Sequence, residues 1–340
     1  MTATYRFPVE INTKEDIVKQ IRNEFPEKPG VYLFRDREGY VVYVGKSVNL
    51  KRRVLSYFHN NKSDGRKKIK PLISSIYNAE FYETHNDFLA LLLEDKLIKK
   101  YFPFYNVRQK KFKKYKYLIL TNGLFPTIRV IGSLKKIRNN IVFGPFQGEY
   151  YTRTLIEIIL KYFNLRLCSE SNPSTKCLYH DLKYCKAPCI LNIIPLEYTR
   201  IVNKVQEFLS GNSEFIIPLL ERKLNHYISN AEFENAQEIK DRIEFINSYN
   251  EKQKFLTSFK FGTLELYNNT SQEPLYIFNR GRLRINNSFI NTQITESNNK
   301  LFSADNELFK DSRVLLDRAN IVYNWIHGRK NNFRHAFLNS

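Results

Sequence analysis

The sequence predicts a chain of mixed α and β structure (class α/β, of the α+β kind), with a short β-sheet flanked by helices in its first domain. Two β-rich runs, 31–34 and 40–44, are separated by turn residues at 36–39, which is typical of a β-hairpin. Apolar residues then recur at helical spacing over 50–58 and 88–101. At 340 residues the chain is more than twice the most common domain length, so we expect two or three domains.

The composition favours polyanionic partners. Lys and Arg number 54 against 34 Asp and Glu, which makes the formal net charge +20 and the isoelectric point about 9.6. A general bias toward Lys, Asn, Ile and Tyr explains the number of lysines but not where they cluster. With 42% hydrophobic and 26% charged residues, the chain is typical of a globular rather than a disordered protein.

Membrane segments are not expected. The longest apolar run has six residues, 88–93, whereas crossing a bilayer takes about 20. The first 13 residues carry polar or charged side chains every few positions and lack the apolar centre of a signal peptide. We therefore expect a cytoplasmic protein.

Shifts in composition divide the chain into six regions. They are an N-terminal extension (1–25), the αβ domain with the hairpin (26–107), a basic β/α connector (108–167), a four-cysteine region (168–190), a helical region (191–250) and an α+β tail of unknown role (251–340). A polar turn at Asn230 inside the helical region predicts a helical hairpin over about 214–249. In the tail we expect strands over 259–267 and 275–285 and a helix over 305–325.

The αβ domain holds groups suited to phosphodiester hydrolysis, which requires an activated nucleophile, a cation facing the phosphate and usually a metal ion. Tyr32 and Tyr43 lie on the paired strands, and Lys46 follows three residues after Tyr43. A nearby ammonium stabilises a phenolate, so we expect Lys46 to lower the pKa of a tyrosine. Arg53 and Tyr57 are four residues apart and share one helix face.

Two further residues complete this set. Glu94 lies in the apolar helix over 88–101, where a partly desolvated carboxylate favours a hard divalent cation. Asn106 follows Pro103 and is suited to orienting a phosphate or a water molecule. Taken singly, each of these residue types has an ordinary structural explanation, such as tyrosines that pack in strands. The ordered set is what favours catalysis.

Four cysteines fall within 22 residues, which in a reducing compartment indicates a metal site rather than disulfides. They are Cys168, Cys177, Cys185 and Cys189, with the spacing C-x8-C-x7-C-x3-C. Structural zinc sites contain close C-x2-4-C pairs, which only the last pair approaches, whereas four unevenly spaced thiolates can hold an iron–sulfur cluster. Thiols packed in a core without a metal are the third possibility.

A basic block, RQKKFKKYK over 108–116, interleaves cations with aromatic rings. Its central lysines are Lys110, Lys111, Lys113 and Lys114. Charge combined with rings that can stack on bases is typical of DNA contact, whereas a solvated run of charges is the alternative.

Three segments carry a resemblance to a known family: PGVYLF, YVGKSVNLKRRVLSYF and ALLLEDKLIKKYFPFYN. In order and spacing they resemble the GIY-YIG nuclease domain, and more narrowly the N-terminal half of the UvrC family of repair excinucleases and its short Cho-like form. Val replaces Ile in both halves of the signature, which keeps a β-branched packing residue. The segment over 220–246 resembles the helical UVR motif; we expect its apolar positions, Ile228 and Phe233 among them, to form a two-helix seam.

The resemblance implies a single incision, 3′ to a lesion, that depends on Mg²⁺ or Mn²⁺. Glu94 would hold the metal, Arg53 would stabilise phosphate charge, and Tyr43 with Lys46 would activate water, with Tyr32 as the alternative base. It also implies a [4Fe–4S] cluster on the four cysteines, with Zn²⁺ as the runner-up, and damaged double-stranded DNA and a UvrB-like protein as partners.

Two other functions stay open at this point: a restriction or mobile-element GIY-YIG nuclease, and a catalytically silent DNA-binding accessory protein. The tail over 251–340 is too short for the RNase H-like second nuclease and the helix-hairpin-helix pair of full-length family members. The sequence leaves the oligomeric state undetermined.

Overall fold

The computed structural model describes residues 13–58, 69–106, 115–134, 137, 139–166, 168, 178–190, 193–268, 272–286, 292–303, 312–328 and 333–338. The chain divides into two compact units, one of Met1–Phe112 with Ser258–Ser340 and one of Lys113–Thr257. From Ser258 onward, the tail therefore belongs to the same unit as the αβ domain. Among the described residues, no helix is long and apolar enough to cross a bilayer.

The first part of the first unit is a three-stranded antiparallel sheet with helices around it. Its elements are α1 (Lys14–Glu24), β1 (Gly30–Arg35), β2 (Val41–Ser47), α2 (Leu50–Phe58), α3 (Ile69–Ser75), β3 (Asn78–Glu83) and α4 (Asp87–Tyr101). The strand order is β2-β1-β3, so β1 is central and β2 lies at an edge. The β-hairpin expected from the sequence is confirmed by the pairing of β1 with β2.

Helix α4 begins after its N-cap residue Asn86, whose side-chain oxygen accepts a hydrogen bond from the backbone N–H of Leu89. Asparagine is one of the preferred residues at this position because its side chain can accept such a bond. Its charged residues Asp95, Lys96 and Lys99 are buried along with its apolar ones. A helix buried on nearly all sides needs packing partners in more than one direction. The three-stranded sheet supplies one partner, and the tail supplies the other.

The second unit combines a sheet with a helical core. Its elements are β4 (Tyr115–Leu120), β5 (Ile128–Ile131), β6 (Ile141–Gln147), α5 (Glu149–Phe163), α6 (Leu178–Asp181), a 3₁₀ turn (Pro188–Ile190), α7 (Pro195–Leu209), α8 (Ile217–Ser229) and α9 (Phe233–Phe261). The sheet order is β5-β4-β6. Leu118 of β4, Leu155 of α5, Val205 of α7 and Leu220 of α8 belong to one buried core.

The helices on both sides of the turn at Asn230 are confirmed, but two of the apolar residues expected in the seam lie outside it. Ile239 packs in the core, and Leu224 packs partly buried against it, whereas Ile228 and Phe233 are 51% and 71% exposed. These two residues flank the turn, beyond the last layer of the core. The expectation that they form the seam is therefore wrong.

The tail forms a second antiparallel sheet in the first unit. Its elements are β7 (Thr263–Asn268), β8 (Tyr276–Asn279), β9 (Arg282–Ile285), α10 (Thr292–Ser303), α11 (Ser312–Ile326) and β10 (Phe333–Leu338), with the strand order β10-β7-β8-β9.

The tail differs from its sequence prediction in four places. Residues 259–261 end α9 instead of beginning a strand, and the run 275–285 is two strands joined by a turn at Gly281, which has a φ of +74°. Helix α10 and strand β10 were not expected. The start of the expected helix over 305–325 lies outside the described residues, and α11 accounts for the rest.

Aromatic side chains join the C-terminal sheet to α4. The centroid of the Phe88 ring, on the first turn of α4, lies 5.4 Å from the centroid of the Tyr276 ring and 5.0 Å from that of the Trp325 ring. The Asn86 amide, which caps α4 through its oxygen, donates through Nδ2 to Tyr276 Oη at 2.7 Å. The start of α4 is thus fixed by a residue 190 positions away in the chain.

A buried charge cluster joins α4 to α11. Lys99 Nζ lies 2.8 Å from Asp95 Oδ2, one turn back on α4, and 2.9 Å from Asp317 Oδ2 on α11. Lys99 is 4% exposed, so its charge is stable there only because two carboxylates surround it. The tail is therefore joined to the αβ domain by paired charges as well as by apolar packing.

Candidate active site

Three tyrosines and an arginine gather on the face of the sheet that α2 covers. Tyr32 Oη and Tyr57 Oη are 2.8 Å apart and share a hydrogen bond. Arg53 Nη2 donates to Tyr57 Oη at 3.3 Å, and the guanidinium lies 5.1 Å from the centre of the Tyr57 ring. The Tyr43 ring lies 6.1 Å from both Tyr32 and Tyr57. The expected pairing of Arg53 with Tyr57 on one helix face is confirmed.

Strand alternation explains why these side chains meet. Tyr32 lies opposite Gly45 and Phe34 lies opposite Tyr43 in the β1–β2 pairing, so all four residues face the same side of the sheet. A Cβ at Gly45 would overlap the phenol of Tyr32. Glycine at this position therefore makes the room in which the Tyr32 hydroxyl reaches Tyr57.

Burial keeps the phenols protonated. Burial raises the pKa of Tyr32 well above its ordinary value, and the neighbouring phenols Tyr57 and Tyr43 raise it further. Burial is also the largest cause that raises the pKa of Tyr43, followed by the Tyr57 phenol. Both groups are therefore neutral hydrogen-bonding phenols at physiological pH.

The argument that Lys46 lowers the pKa of a tyrosine is wrong. Tyr43 and Lys46 are three positions apart on β2, so their side chains leave opposite faces of the sheet. Lys46 Nζ instead pairs with Asp87 Oδ1 of α4 at 2.7 Å. Asp87 is a site residue that the sequence analysis missed; its seven-residue spacing from Glu94, which places both on one helix face, was the available signal.

The outer edge of β2 is covered by side chains from α4 and from the loop after it. Asn106 Oδ1 accepts from the Val44 N–H at 2.8 Å, and Asn106 Nδ2 donates to the Val44 carbonyl at 2.7 Å. The Tyr105 N–H donates to the Val42 carbonyl at 3.0 Å. These bonds satisfy an edge strand that would otherwise attract another strand. The role of Asn106 toward a phosphate or water stays a prediction, and its observed contacts are structural.

Glu94 is next along the same edge. Its Oε1 accepts from the backbone N–H of Lys46 at 3.0 Å, which fixes the carboxylate beside the sheet. Glu94 also acts electrostatically on the Tyr43 phenol, so the carboxylate and the tyrosine cluster are close in space. The structure therefore brings Tyr32, Tyr43, Tyr57, Arg53 and Glu94 into one site, with Lys46 and Asn106 at its border.

This site fits a hard divalent cation of the Mg²⁺ type. Within the described ranges, no three His, Cys, Asp or Glu residues group closely enough to form a metal cage. Mg²⁺ does not need such a cage, because it keeps several waters and binds through one or two carboxylates together with substrate phosphate oxygens. Glu94, oriented by a backbone N–H, is a suitable single protein ligand.

The cysteine region is described only in part. Cys185 is buried and its Sγ accepts from the N–H of Ala187 at 3.3 Å, while Cys168 and Cys189 are half-buried. Burial is the largest cause that raises the pKa of Tyr198, and the nearby thiols of Cys185 and Cys168 raise this pKa further. Cys177 lies outside the described residues. The described cysteines do not form a metal-binding group.

The four lysines expected to contact DNA also lie outside the described residues. They are Lys110, Lys111, Lys113 and Lys114. Their role in DNA binding stays a prediction.

Comparison with known proteins identifies the class of the first domain. Residues 28–107 match the family model described as a UvrC-like GIY-YIG domain, which covers every residue of the site described above. The fold and the site thus define a GIY-YIG endonuclease domain. Residues 115–208 match the model described as the UvrC/Cho excinuclease middle domain. The chain therefore carries a UvrC-like GIY-YIG domain followed by a UvrC/Cho middle domain.

The chain is also similar to parts of longer proteins. The chain is 33% identical to the UvrABC system protein C of Methanococcus maripaludis over 259 residues, covering 76% of this chain and 48% of that protein. It is 38% identical to the protein of the same name from Dictyoglomus thermophilum over 248 residues, covering 71% and 40%. The chain therefore spans less than half the length of these relatives.

A solved structure also resembles the chain. The GIY-YIG N-terminal endonuclease domain of UvrC from Thermotoga maritima, bound to its catalytic magnesium, is 37% identical; the match covers 28% of this chain and 100% of that one, with a TM-score of 0.25.

Proposed function

We propose that this chain is a metal-dependent DNA endonuclease of the UvrC/Cho type that makes one incision, 3′ to a lesion, in nucleotide excision repair. The observation that carries the proposal is the meeting of Glu94, fixed by the Lys46 N–H, with the cluster of Tyr32, Tyr43, Tyr57 and Arg53. A silent accessory protein would not need a carboxylate, a cation and three phenols in one place.

The residues of the site have distinct proposed roles. Arg53, held against Tyr57, is a rigid cation that stabilises negative charge growing on the phosphate. Tyr43 and Tyr32 keep their protons at physiological pH. Either one would therefore act first as a neutral phenol that orients the attacking water by a hydrogen bond, before that water loses its proton. Glu94 would hold the divalent cation, which supplies positive charge beside the phosphate. Lys46 and Asp87 pair at the border and orient β2 against α4.

The proposal is tested by nicking of lesion-bearing duplex DNA with Mg²⁺ or Mn²⁺, with and without a UvrB-like protein. We expect one nick on the 3′ side, seen as one product pair when either end of the damaged strand is labelled. Release of a doubly incised oligonucleotide would contradict the single-incision proposal. Matched Tyr43→Phe and Tyr32→Phe variants identify the phenol that handles the water, because only its loss should reduce the cleavage rate strongly.

The tip of the α8–α9 hairpin is the proposed contact with the UvrB-like partner. Ile228 and Phe233 expose large apolar surfaces on the two sides of the turn, where they pack against nothing in the core. Phe233→Ser should weaken binding in calorimetry. Leu196→Ser on α7 removes another exposed apolar side chain, 63% exposed against 71% for Phe233, and serves as the control. Equal affinities for both variants and the wild type would reduce the hairpin to a connector.

The four cysteines are proposed to bind a [4Fe–4S] cluster, with Zn²⁺ as the alternative. The support is the match of 115–208, which spans all four, and the N–H donated to Cys185 Sγ, since such hydrogen bonds tune cluster sulfurs. Protein purified without oxygen should be brown, and Cys189→Ser should bleach it. Colourless protein with stoichiometric zinc would favour the alternative.

Two further points belong to this proposal. The substrate of the proposed endonuclease is damaged DNA, and the basic block over 108–116 is one proposed contact with it. A cytoplasmic location follows from a DNA-repair role.

A further inference from the structure

The solvent face of the C-terminal sheet has a chemistry different from its inner face. In β9, Arg282 and Arg284 are exposed while Leu283 and Ile285 are buried, so alternate residues point to opposite sides. Pairing through β8 and β7 extends the exposed side to β10, where Arg334 lies opposite Tyr267. We call the exposed side, with Arg282, Arg284, Tyr267 and Arg334, the arginine face.

The arginine face is strongly cationic for its size. No carboxylate pairs with Arg282 or Arg284 among the residues that the structure describes. The one acidic side chain on this face, Glu265, is hydrogen-bonded by the hydroxyl of Tyr267 two residues away on β7. Arg282 and Arg284, exposed and without acidic partners in the described part of the chain, share this face with the half-buried ring of Tyr267, and such a combination suits a nucleic-acid backbone.

The inner face holds the arginine face in a fixed position relative to the nuclease site. Tyr276 and Phe278 pack on Phe88 of α4, and Asp317 pairs with Lys99 of the same helix. Glu94 is carried by α4 between these contacts. A ligand bound on the arginine face is therefore positioned with respect to Glu94 by a short, buried set of contacts.

We propose that the arginine face binds the phosphate backbone of DNA and so gives the tail a function. This inference rests on the proposed nuclease function for the identity of the polyanion. It assigns to 258–340 a role in holding the substrate, independent of base sequence, because guanidinium contacts to phosphates carry no sequence information.

The test is equilibrium binding of the full chain to a labelled duplex, measured by fluorescence anisotropy in EDTA so that no cleavage occurs. The variant Arg282→Ala/Arg284→Ala should bind about ten- to fifty-fold more weakly at low salt. The slope of log K against log salt should be smaller by about two, one for each lost phosphate contact. Arg282→Lys/Arg284→Lys should keep most of the affinity, because the charges remain.

The matched control is Arg200→Ala/Lys204→Ala, which removes two exposed cations from α7 in the other unit. We expect this control to change the affinity by about two-fold or less. An arginine-face variant within two-fold of the wild type, or an equal loss in the control, would overturn the proposal. Failure of the nuclease proposal is seen separately, as intact DNA binding without any Glu94-dependent nicking in Mg²⁺ or Mn²⁺.

Discussion

Tyrosines on the strands of the two antiparallel sheets of the first unit differ in their surroundings. In the nuclease sheet, the hydroxyl of Tyr32 meets a second phenol, Tyr57, which in turn contacts Arg53. In the C-terminal sheet, Tyr276 stacks among aromatic rings and its hydroxyl accepts one hydrogen bond, from Asn86. A tyrosine in a strand therefore indicates chemistry only where a cation and another polar group share its surroundings.

The edges of the two sheets make the same comparison sharper. Each sheet has an edge strand covered by an asparagine that bonds both backbone groups of one residue: Asn106 with Val44, and Asn299 with Ile285. Within the described residues, only the first edge also has a carboxylate bonded to the strand backbone: Glu94 accepts from the backbone N–H of Lys46, two residues after Val44. Edge protection is thus shared by both sheets, and the carboxylate distinguishes the sheet that carries the proposed active site.

The largest expected effect comes from removing that carboxylate. Glu94→Gln should lower the nicking rate by roughly 10³-fold or more, because it removes the charge that holds the divalent cation. DNA affinity and folding should change little, since Gln keeps an acceptor for the Lys46 N–H. Nicking is measured across a Mg²⁺ and Mn²⁺ titration, with the exposed Glu24→Gln as the control. A Glu94→Gln enzyme that cuts at nearly the wild-type rate would place the site elsewhere.

Removing the cation of the tyrosine cluster should have the next largest effect. Arg53→Ala is expected to reduce the cleavage rate by about 10²- to 10³-fold, through loss of charge stabilisation in the transition state. Arg52→Ala, one residue earlier and exposed, is the matched control. If both variants lose the same small factor, Arg53 contributes only general charge.

The link between the two sheets is tested through Lys99. Lys99→Ala removes the cation between the buried Asp95 and the partly buried Asp317, and we expect a loss of about 3–5 kcal/mol in the free energy of unfolding. Lys100→Ala, on the exposed side of α4, should cost less than about 1 kcal/mol. Urea denaturation measures both, and equal stabilities would mean that the ion pair between α4 and α11 is not needed to hold the tail on α4.

The smallest effect is expected at Tyr276. Tyr276→Phe should lose about 0.5–1.5 kcal/mol at neutral pH through the lost bond to Asn86. Burial raises the pKa of Tyr276 to about 12 from the ordinary 10.0, so the folded state keeps a proton that the unfolded state releases. The wild type should therefore lose stability as the pH rises from about 10 to 12, and the variant should lose less. Urea denaturation at neutral pH and near pH 11 should show a smaller difference between the two proteins at the higher pH.

The sequence by itself determined the parts of this protein that depend on neighbours along the chain. Two β-rich runs around turn residues predicted the β1–β2 hairpin, and apolar residues at helical spacing over 88–101 predicted α4. The order of Tyr32, Tyr43, Arg53 and Glu94 predicted a nuclease site, because short motifs keep their spacing when local structure is regular. Helical spacing likewise predicted that Arg53 and Tyr57 meet.

Tertiary structure alone decided which distant groups pair. Lys46 bonds Asp87, 41 residues away, rather than a tyrosine, and the Asn106 amide covers Val44 across 62 residues. The docking of the tail on α4 brings Asp317 to Lys99. The apolar residues all around α4 indicate that two partners cover it. Helix propensity and hydrophobic periodicity, however, do not tell which parts of the chain those partners are. That choice depends on burying the most apolar area while every buried charge keeps a partner, a condition that only the assembled unit satisfies.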